Sequence, residues 1–255
     1  MRVPLPEVFL QAPIAHRALH DVKDGRPENS LAAIRAAITA GYGIEIDIQM
    51  SRDREAFVFH DYTLARLTDQ QGTFKDLDTA ALSQVHLTGN GEQVPTLRAA
   101  LDLIGGRVAV LIEIKDQDGQ MGPGIGALED AVADALAGYE GPAAVMSFNP
   151  HTVRRMADLL PGLPRGLVTC AYRTENTGLP DQVCSHLREI PDFDRAECSF
   201  ISHDVRDLQR PRVSDLKSQG HSILCWTVRS PDQEAEARRI ADNITFETYL
   251  AAHPS

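Results

Sequence analysis

Short apolar runs rich in β-branched residues alternate with amphipathic stretches along nearly the whole chain, and this alternation limits the fold more than any other feature. The runs with the composition of strands are Pro13 to His16, Gly43 to Ile48, Val108 to Lys115, Ala143 to Phe148, Gly166 to Thr169, Ser199 to His203, Ser222 to Val228 and Asn243 to Phe246. The stretches with helical spacing are Ser30 to Ala40, Leu97 to Ile104, Ala127 to Ala137, Thr152 to Leu160, Pro180 to Glu189, Leu208 to Gln219 and Asp232 to Arg239. This order predicts repeated βα units around a parallel sheet.

Eight such repeats in 255 residues match the size of one (β/α)8 TIM barrel, a fold of the α/β class. A doubly wound open sheet is the alternative, but it needs a glycine-rich phosphate loop after the first strand, where this chain reads HRALHDVKDG. Ala56 to His60 reads as an extra short strand, and residues 61–95 are polar and turn-rich. We therefore predict a single domain over residues 1–255, with an insertion at about 61–95 above the carboxyl end of the barrel.

The chain is acidic, with 36 Asp and Glu against 25 Lys and Arg and a formal net charge of −11 at pH 7. This charge repels nucleic acid and anionic lipid, so neither partner is expected. No apolar run is long enough to span a bilayer, and the first residues, MRVPLPEVFLQAP, lack the pattern of a signal peptide. We expect a cytoplasmic protein without stable membrane association, and the sequence does not indicate its oligomeric state. Four widely spaced cysteines are expected to be buried free thiols, namely Cys170, Cys184, Cys198 and Cys225.

Charged residues interrupt four otherwise apolar strand segments near their ends, at IAHR, GIEIDI, FVFHD and LIEIK. Because side chains alternate along a strand, Glu45 and Asp47 point to one side, as do Glu113 and Lys115. Three converging carboxylates repel one another unless a hard divalent cation lies between them, and oxygen-only ligation favours Mg²⁺ or Ca²⁺. Glu45, Asp47 and Glu113 are therefore the predicted ligands of one such cation. The alternative is a buried ion-pair network with Arg17 and Lys115.

Two histidines, His16 and His60, occur beside these acidic residues, and histidine exchanges protons near neutral pH. We predict that they form an acid–base pair, with His16 as the general acid and His60 as the general base. Arg17 and Lys115 are the cations of the same segments, and they are predicted to hold an anionic group such as a phosphate.

Five short motifs occur in the order typical of the glycerophosphodiester phosphodiesterase family, which the chain resembles from about Ile14 to Phe246. They are His16-Arg17-Ala18, Pro27-Glu28-Asn29-Ser30, Glu45-Ile46-Asp47, His60-Asp61 and Glu113-Ile114-Lys115. Ser147-Phe148 and Trp226-Thr227-Val228 also resemble family positions. Two positions differ from the family pattern. Ala18 replaces the glycine after His-Arg, and Ile244-Thr245-Phe246-Glu247 stands where Asp and Pro usually follow the apolar run.

The resemblance implies metal-dependent hydrolysis of a small-molecule glycerophosphodiester to sn-glycerol 3-phosphate and an alcohol. It also implies that Trp226 lines the alcohol side of the pocket and that Glu28 and Asn29 shape the substrate site. Packing of Trp226 at the barrel rim and an ordinary helix start at Pro27 to Ser30 are the alternatives. The attacking group is either water or an adjacent hydroxyl of the substrate.

Two other functions stay open at this point. A phospholipase D-like or phosphoinositide-type lyase on the same barrel would need an apolar or basic membrane-facing loop, which residues 61–95 do not offer. A non-catalytic barrel that binds a phosphorylated ligand would need the cations but not the two histidines.

Overall fold

The computed structural model describes residues 2–253, and nine strands lie within that range. They are β1 Ile14–Ala15, β2 Gly43–Met50, β3 Ala56–Val58, β4 Val110–Ile114, β5 Ala143–Ser147, β6 Arg165–Thr169, β7 Phe200–Asp204, β8 Ser222–Val228 and β9 Asn243–Phe246. Every predicted strand is present, including the extra strand β3. Because β1 and β3 end earlier than predicted, His16 and His60 lie in the loops that follow them.

Ten α-helices occur in the same described range, and they include all seven predicted ones. They are α1 Val8–Gln11, α2 Leu31–Ala40, α3 Thr79–Leu82, α4 Leu97–Ile104, α5 Ala127–Leu136, α6 Pro150–Leu159, α7 Thr174–Thr177, α8 Asp181–Arg188, α9 Pro211–Ser218 and α10 Pro231–Ala237. Two of these helices start more than one residue away from the predicted position. Helix α6 begins at Pro150 because Asn149 caps it by accepting the His151 N–H, and α9 begins only at Pro211, after a 3-10 turn at Val205–Asp207.

The described residues fall into two compact units, of which the N-terminal unit comprises residues 14–115 and 126–143. In this unit β1, β2 and β4 are parallel, while β3 is antiparallel to β2. All seven residues from Gly43 to Gln49 are buried, and three of them, Glu45, Asp47 and Gln49, are polar. Burying those polar side chains is costly without partners, so β2 marks the functional part of this unit.

The C-terminal unit comprises residues 2–13, 116–125 and 144–253 of the described chain. Here β5, β6, β7, β8 and β9 pair in parallel in that order, each with the next. Gly166 in β6 is required by close packing, since a Cβ there would lie 2.4 Å from the Phe200 ring and 2.6 Å from the Phe200 carbonyl oxygen. Helix α1 joins this unit, and Asn243 Nδ2 donates to the carbonyl oxygens of Phe9 and Ala12 at 2.7 Å each.

The predicted insertion, residues 61–95, has its own apolar core. Phe59 stacks on Phe74 with ring centroids 4.8 Å apart, and Phe57 meets Phe74 edge to face at 6.0 Å. Other members of this cluster come from the insertion itself, and they are Leu64, Leu82, Val85, Leu87 and Val94. The insertion is therefore anchored to β3 by buried aromatic side chains, even though its sequence is polar.

Along the chain, the order of strands and helices is that of a (β/α)8 barrel with β3 added after the second strand. Across residues 2–253, no helix combines the length and apolar character needed to cross a membrane. The four cysteines are free thiols, and Cys184, Cys198 and Cys225 are buried as predicted. The prediction is wrong for Cys170, which is only partly buried because it lies on the wall of a pocket. Partial burial nevertheless raises the pKa of Cys170 to about 11.

Candidate active site

Three acidic side chains of the N-terminal unit meet at one point. Glu45 and Asp47 lie two residues apart on β2, and Asp47 is paired in register with Glu113 on the neighbouring parallel strand β4. All three are buried, and one oxygen from each lies within 4.8 Å of the others. The convergence predicted from the strand pattern is confirmed, whereas the role of these residues as metal ligands stays a prediction.

Two cations lie against this cluster, and their contacts are uneven. Lys115 Nζ bridges Asp47 Oδ1 at 2.7 Å and Glu113 Oε1 at 2.6 Å. The Arg17 guanidinium pairs with Glu28 Oε1 through Nη1 at 2.6 Å, and its Nε lies 3.6 Å from Asp47 Oδ2. The ion-pair network considered as the alternative to a metal site therefore exists in part around Asp47.

Glu45 has a different kind of hydrogen-bond donor from the other two carboxylates. Its Oε2 accepts a hydrogen bond at 2.8 Å from the backbone N–H of Arg17 rather than from a cationic side chain. Burial and the neighbouring Asp47 and Glu113 raise the pKa of Glu45 well above its usual value, and burial also raises the pKa of Glu113. Burial acts on Asp47 in the same direction, but Lys115 outweighs it and holds the pKa of Asp47 well below its usual range. The cluster thus places three buried carboxyl groups beside two cations, one of which, Arg17, also pairs with Glu28, and its all-oxygen donor set fits a hard divalent cation.

The loop after β1 reaches the cluster through an unusual backbone conformation. Arg17 and Ala18 both have positive φ values, 53° and 64°, which cost roughly 1–2 kcal/mol for a residue with a Cβ. In this conformation the Ala18 N–H donates to the Glu45 carbonyl oxygen at 2.9 Å, beside the contact of Arg17 with the Glu45 side chain. Ala18 therefore adopts the left-handed conformation even though it replaces the family glycine.

Asn29 ties the start of α2 to the same cluster. It also has a positive φ of 60°, a conformation that Asn tolerates better than most residues, and its Nδ2 donates to Asp47 Oδ2 at 2.9 Å. The next residue, Ser30, caps α2 by accepting the Ala33 N–H at 3.1 Å. The Pro27 to Ser30 motif therefore starts a helix and also contacts the acidic cluster, while its role in shaping the substrate site stays a prediction.

His60 lies two residues after β3 and pairs with its neighbour Asp61. The distance from His60 Nδ1 to Asp61 Oδ1 is 2.7 Å, and the Gln49 side chain donates to the His60 carbonyl oxygen at 3.2 Å. Burial is the largest influence on His60 and lowers its pKa to about 4, while hydrogen bonds from Arg66 and His60 outweigh the burial of Asp61 and hold its pKa at about 2. At neutral pH the pair is thus a neutral imidazole and a carboxylate. This state requires the ring proton on Nδ1 and leaves Nε2 as a proton acceptor.

His16 follows β1 directly, next to Arg17, and both histidines lie close enough to Asp47 to help lower the pKa of that carboxyl. The N-terminal unit therefore brings together eight of the nine predicted site residues, which are His16, Arg17, Glu28, Glu45, Asp47, His60, Glu113 and Lys115.

Trp226, the ninth predicted site residue, belongs to the C-terminal unit. Its indole Nε1 donates to the Ser202 carbonyl oxygen at 2.9 Å, and its ring meets Phe148 edge to face at 5.6 Å. With Tyr172 and Cys170, these aromatic residues line a pocket of about 520 Å³ that also contains ion-paired Asp204. The predicted role of Trp226, lining the alcohol side of the substrate pocket, stays a prediction.

Two side chains beside the cluster, Arg66 and Gln49, were not predicted as site residues. Arg66 hydrogen-bonds both Asp61 and Glu28. Gln49 continues the period of two from Glu45 and Asp47, a signal that the sequence offered. Arg66 carries no comparable signal, because a position in a turn-rich segment predicts no particular partner.

The sequence profile of the Glycerophosphoryl diester phosphodiesterase family matches residues 16–243, which include both the acidic cluster and Trp226. The chain belongs to this family. A glycerophosphodiester phosphodiesterase from Caldanaerobacter subterraneus subsp. tengcongensis is 33% identical over 91% of each chain. Glycerophosphodiester phosphodiesterase 1 from Bos taurus is 28% identical over 87% of this chain and 73% of that protein. The family assignment made from the five motifs is therefore confirmed.

Solved structures of the glycerophosphoryl diester phosphodiesterase family settle the fold. A phosphodiesterase from Oleispira antarctica, solved in complex with the product sn-glycerol-3-phosphate, superposes with a TM-score of 0.76 at 24% identity, over 94% of this chain and 93% of that one. A family member from Parabacteroides distasonis gives a TM-score of 0.73 at 22% identity, over 92% of each chain. The predicted TIM-barrel fold is confirmed.

Proposed function

We propose that the protein hydrolyses glycerophosphodiesters to sn-glycerol 3-phosphate and an alcohol, with one divalent cation, Mg²⁺ or Ca²⁺, as cofactor. The observation that carries the proposal is the buried cluster of Glu45, Asp47 and Glu113, within 4.8 Å of one another and beside two histidines. Family membership supports the same reaction, and we propose that it serves lipid and glycerol metabolism. Because the family profile covers parts of both units, we also propose that residues 1–255 act as one domain. The cytoplasmic location stays a prediction.

Glu45, Asp47 and Glu113 would hold the cation, which when bound supplies positive charge for the phosphate oxygens. Arg17 adds a guanidinium that matches a phosphate in geometry. Glu28 restrains this guanidinium through the ion pair between Glu28 Oε1 and Arg17 Nη1, at 2.6 Å. Lys115 adds a second positive charge. It stays protonated at neutral pH, because the attraction of Asp47 and Glu113 outweighs the effect of burial and raises its pKa.

His60 serves as the general base in this proposal. Asp61 accepts a hydrogen bond from the Nδ1–H group of His60. This bond fixes the tautomer in which Nε2 can take a proton from the attacking hydroxyl or water. His16 serves as the general acid that protonates the leaving alkoxide. An acid–base pair is not needed for binding alone, so the two histidines favour catalysis over a non-catalytic phosphate-binding role.

The test is incubation with a panel of glycerophosphodiesters that differ in the alcohol, with release of sn-glycerol 3-phosphate measured by a coupled assay. Chelation should abolish release, and either Mg²⁺ or Ca²⁺ should restore it. Glu113→Gln should be inactive in added metal, while the matched change Glu140→Gln, at an exposed loop position, should leave turnover unchanged. Full activity after exhaustive chelation, or no release from any diester, would contradict the proposal.

A further inference from the structure

Arg66 holds two carboxylates at once, and the chemistry proposed above leaves it without a role. Its Nε and Nη2 donate to Oδ2 and Oδ1 of Asp61 at 2.7 and 2.8 Å. Its Nη1 and Nη2 donate to Oε2 and Oε1 of Glu28 at 2.7 and 2.8 Å. Both contacts are bidentate, a geometry that the planar guanidinium provides and a lysine ammonium does not.

Each of these carboxylates also contacts a residue of the proposed reaction. Asp61 Oδ1 lies 2.7 Å from His60 Nδ1, and Glu28 Oε1 accepts from Arg17 Nη1 at 2.6 Å. A continuous chain of charged hydrogen bonds therefore runs from the general base through Arg66 to the phosphate-binding arginine. Arg66 is its central member.

The turn that carries Arg66 is fixed at both ends. Leu64 is fully buried in the core of the insertion, and Leu67 packs against the same cluster. The N–H groups of Leu67 and Thr68 both donate to the Leu64 carbonyl oxygen, at 3.2 and 3.1 Å. The insertion thus presents Arg66 from a defined backbone position.

Stability alone does not account for this arrangement. The Arg66 side chain is 47% exposed, and ion pairs at that exposure contribute little to folding. Two bidentate contacts do, however, restrict the rotation of both carboxylates, and the residues bound to them are restricted in turn.

We propose that Arg66 is a positioning residue that orients His60 and Arg17 together, through Asp61 and Glu28. This inference rests on the proposed function, because it takes His60 as the base and Arg17 as the phosphate ligand. A displacement of about 1 Å at a reacting group can cost ~10²-fold in rate. Loss of Arg66 is therefore expected to lower kcat, through His60, and to raise KM, through Arg17.

The test compares Arg66→Lys and Arg66→Ala with the wild-type enzyme in metal-saturated buffer. Both variants should lose roughly 10- to 100-fold in kcat, because lysine keeps the charge but not the two bidentate contacts. Millimolar guanidinium should restore part of the activity of Arg66→Ala and none of that of Arg66→Lys, whose side chain still fills the site. A purely structural role would lower the unfolding temperature without this selective rescue.

Arg52→Ala is the matched control. Arg52 belongs to the same unit, is 63% exposed and pairs with Asp78 at 2.5 Å, outside the acidic cluster. Its removal should leave kcat, KM and the response to guanidinium unchanged. Wild-type kinetics in Arg66→Lys would overturn the inference.

A crystal structure of Arg66→Ala separates this inference from the proposed function. The His60 ring and the Arg17 guanidinium should shift or adopt more than one orientation. This result does not depend on which substrate the enzyme cleaves. If both keep their wild-type positions, the positioning role is wrong even when the wild-type enzyme releases sn-glycerol 3-phosphate. If both move but the wild-type enzyme cleaves no glycerophosphodiester, the proposed function fails and the positioning role stands.

Discussion

Replacing Glu45 by Gln should stabilise the metal-free protein and at the same time abolish metal binding. Gln keeps an oxygen that can accept the Arg17 N–H but removes a buried negative charge that faces Asp47 and Glu113. Folding raises the pKa of Glu45, so the stability linked to its protonation is fully present below its unfolded value of 4.5 and is lost as pH rises through the folded value. The variant cannot lose this stability.

The size of the effect follows from the distances in the cluster. Two unit charges 4.8 Å apart repel by about 3.5 kcal/mol at an effective dielectric constant of about 20, and ionised Glu45 has two such neighbours within that distance. Protonation limits the cost, because keeping a carboxyl with an unfolded pKa of 4.5 protonated near pH 7.5 costs about 4 kcal/mol. The gain from Glu45→Gln is therefore at most about 4 kcal/mol, or roughly 8–16 °C in Tm.

Thermal unfolding of chelated protein, followed by circular dichroism between pH 4.5 and 7.5, measures this gain. The Tm difference should be near zero at the acidic end and should grow with pH. Excess Mg²⁺ or Ca²⁺ should shrink this difference, because wild type gains about 2.7 kcal/mol at a metal concentration 100 times Kd and the variant gains nothing. Glu140→Gln, at an exposed site, should follow the wild type under all conditions.

Asp47→Asn gives the contrasting result that makes the test decisive. Lys115 and Arg17 pair with Asp47 and hold its pKa low, so its ionised form stabilises the folded state at neutral pH. This variant should therefore be less stable than wild type without metal. If Glu45→Gln is also less stable than wild type near pH 7.5, then Glu45 is an ordinary member of a buried ion-pair network, and the metal-site reasoning is refuted.

Three further outcomes concern catalysis. At saturating metal, the acidic limb of the kcat/KM profile should lie near pH 4, because the base works only when deprotonated and the pKa of His60 is about 4; a limb near the ordinary value of about 6.5 would contradict this. A nitrophenyl phosphodiester needs little protonation of its leaving group, so nitrophenolate release should survive in His16→Ala and not in His60→Ala, and the opposite pattern would exchange the two roles. Arg17→Lys should lower kcat/KM and weaken inhibition by sulfate, whereas Arg239→Lys, at a side chain 72% exposed, should change neither, and a fully active, equally sulfate-sensitive Arg17→Lys would place the phosphate site elsewhere.

The strand periodicity carried most of the correct predictions. Alternation along β2 and β4 was enough to place Glu45, Asp47 and Glu113 on converging sides, because side-chain direction in a strand depends only on position. The βα order of the chain also predicts that β2 and β4 run parallel, and the structure adds the register that pairs Asp47 with Glu113. Side-chain directions that depend on one strand and its neighbour could therefore be predicted from the sequence.

Contacts made by loops were not accessible in the same way. The positive φ of Arg17 and the double contact of Arg66 depend on where the β1 loop and the insertion lie relative to the strands. Helix starts shifted by two or three residues for a similar reason, since capping by Asn149 and the 3-10 turn before Pro211 decided them. The burial of Cys170 was predicted from the usual behaviour of free cysteines. The pocket that partly exposes it is a tertiary feature, which the sequence does not show.

The places where the chain departs from ordinary folding rules coincide in the N-terminal unit. Positive φ at Arg17 and Ala18 costs energy, and Glu45 is a buried carboxyl whose Oε2 accepts from a backbone N–H. Neither feature favours folding, yet both serve the same carboxylate, because the strained loop supplies the N–H that Glu45 accepts. Selection for stability alone would remove such a combination, as the expected gain from Glu45→Gln illustrates. A divalent cation held by Glu45, Asp47 and Glu113, as proposed, would restore the balance of charge and offset both costs.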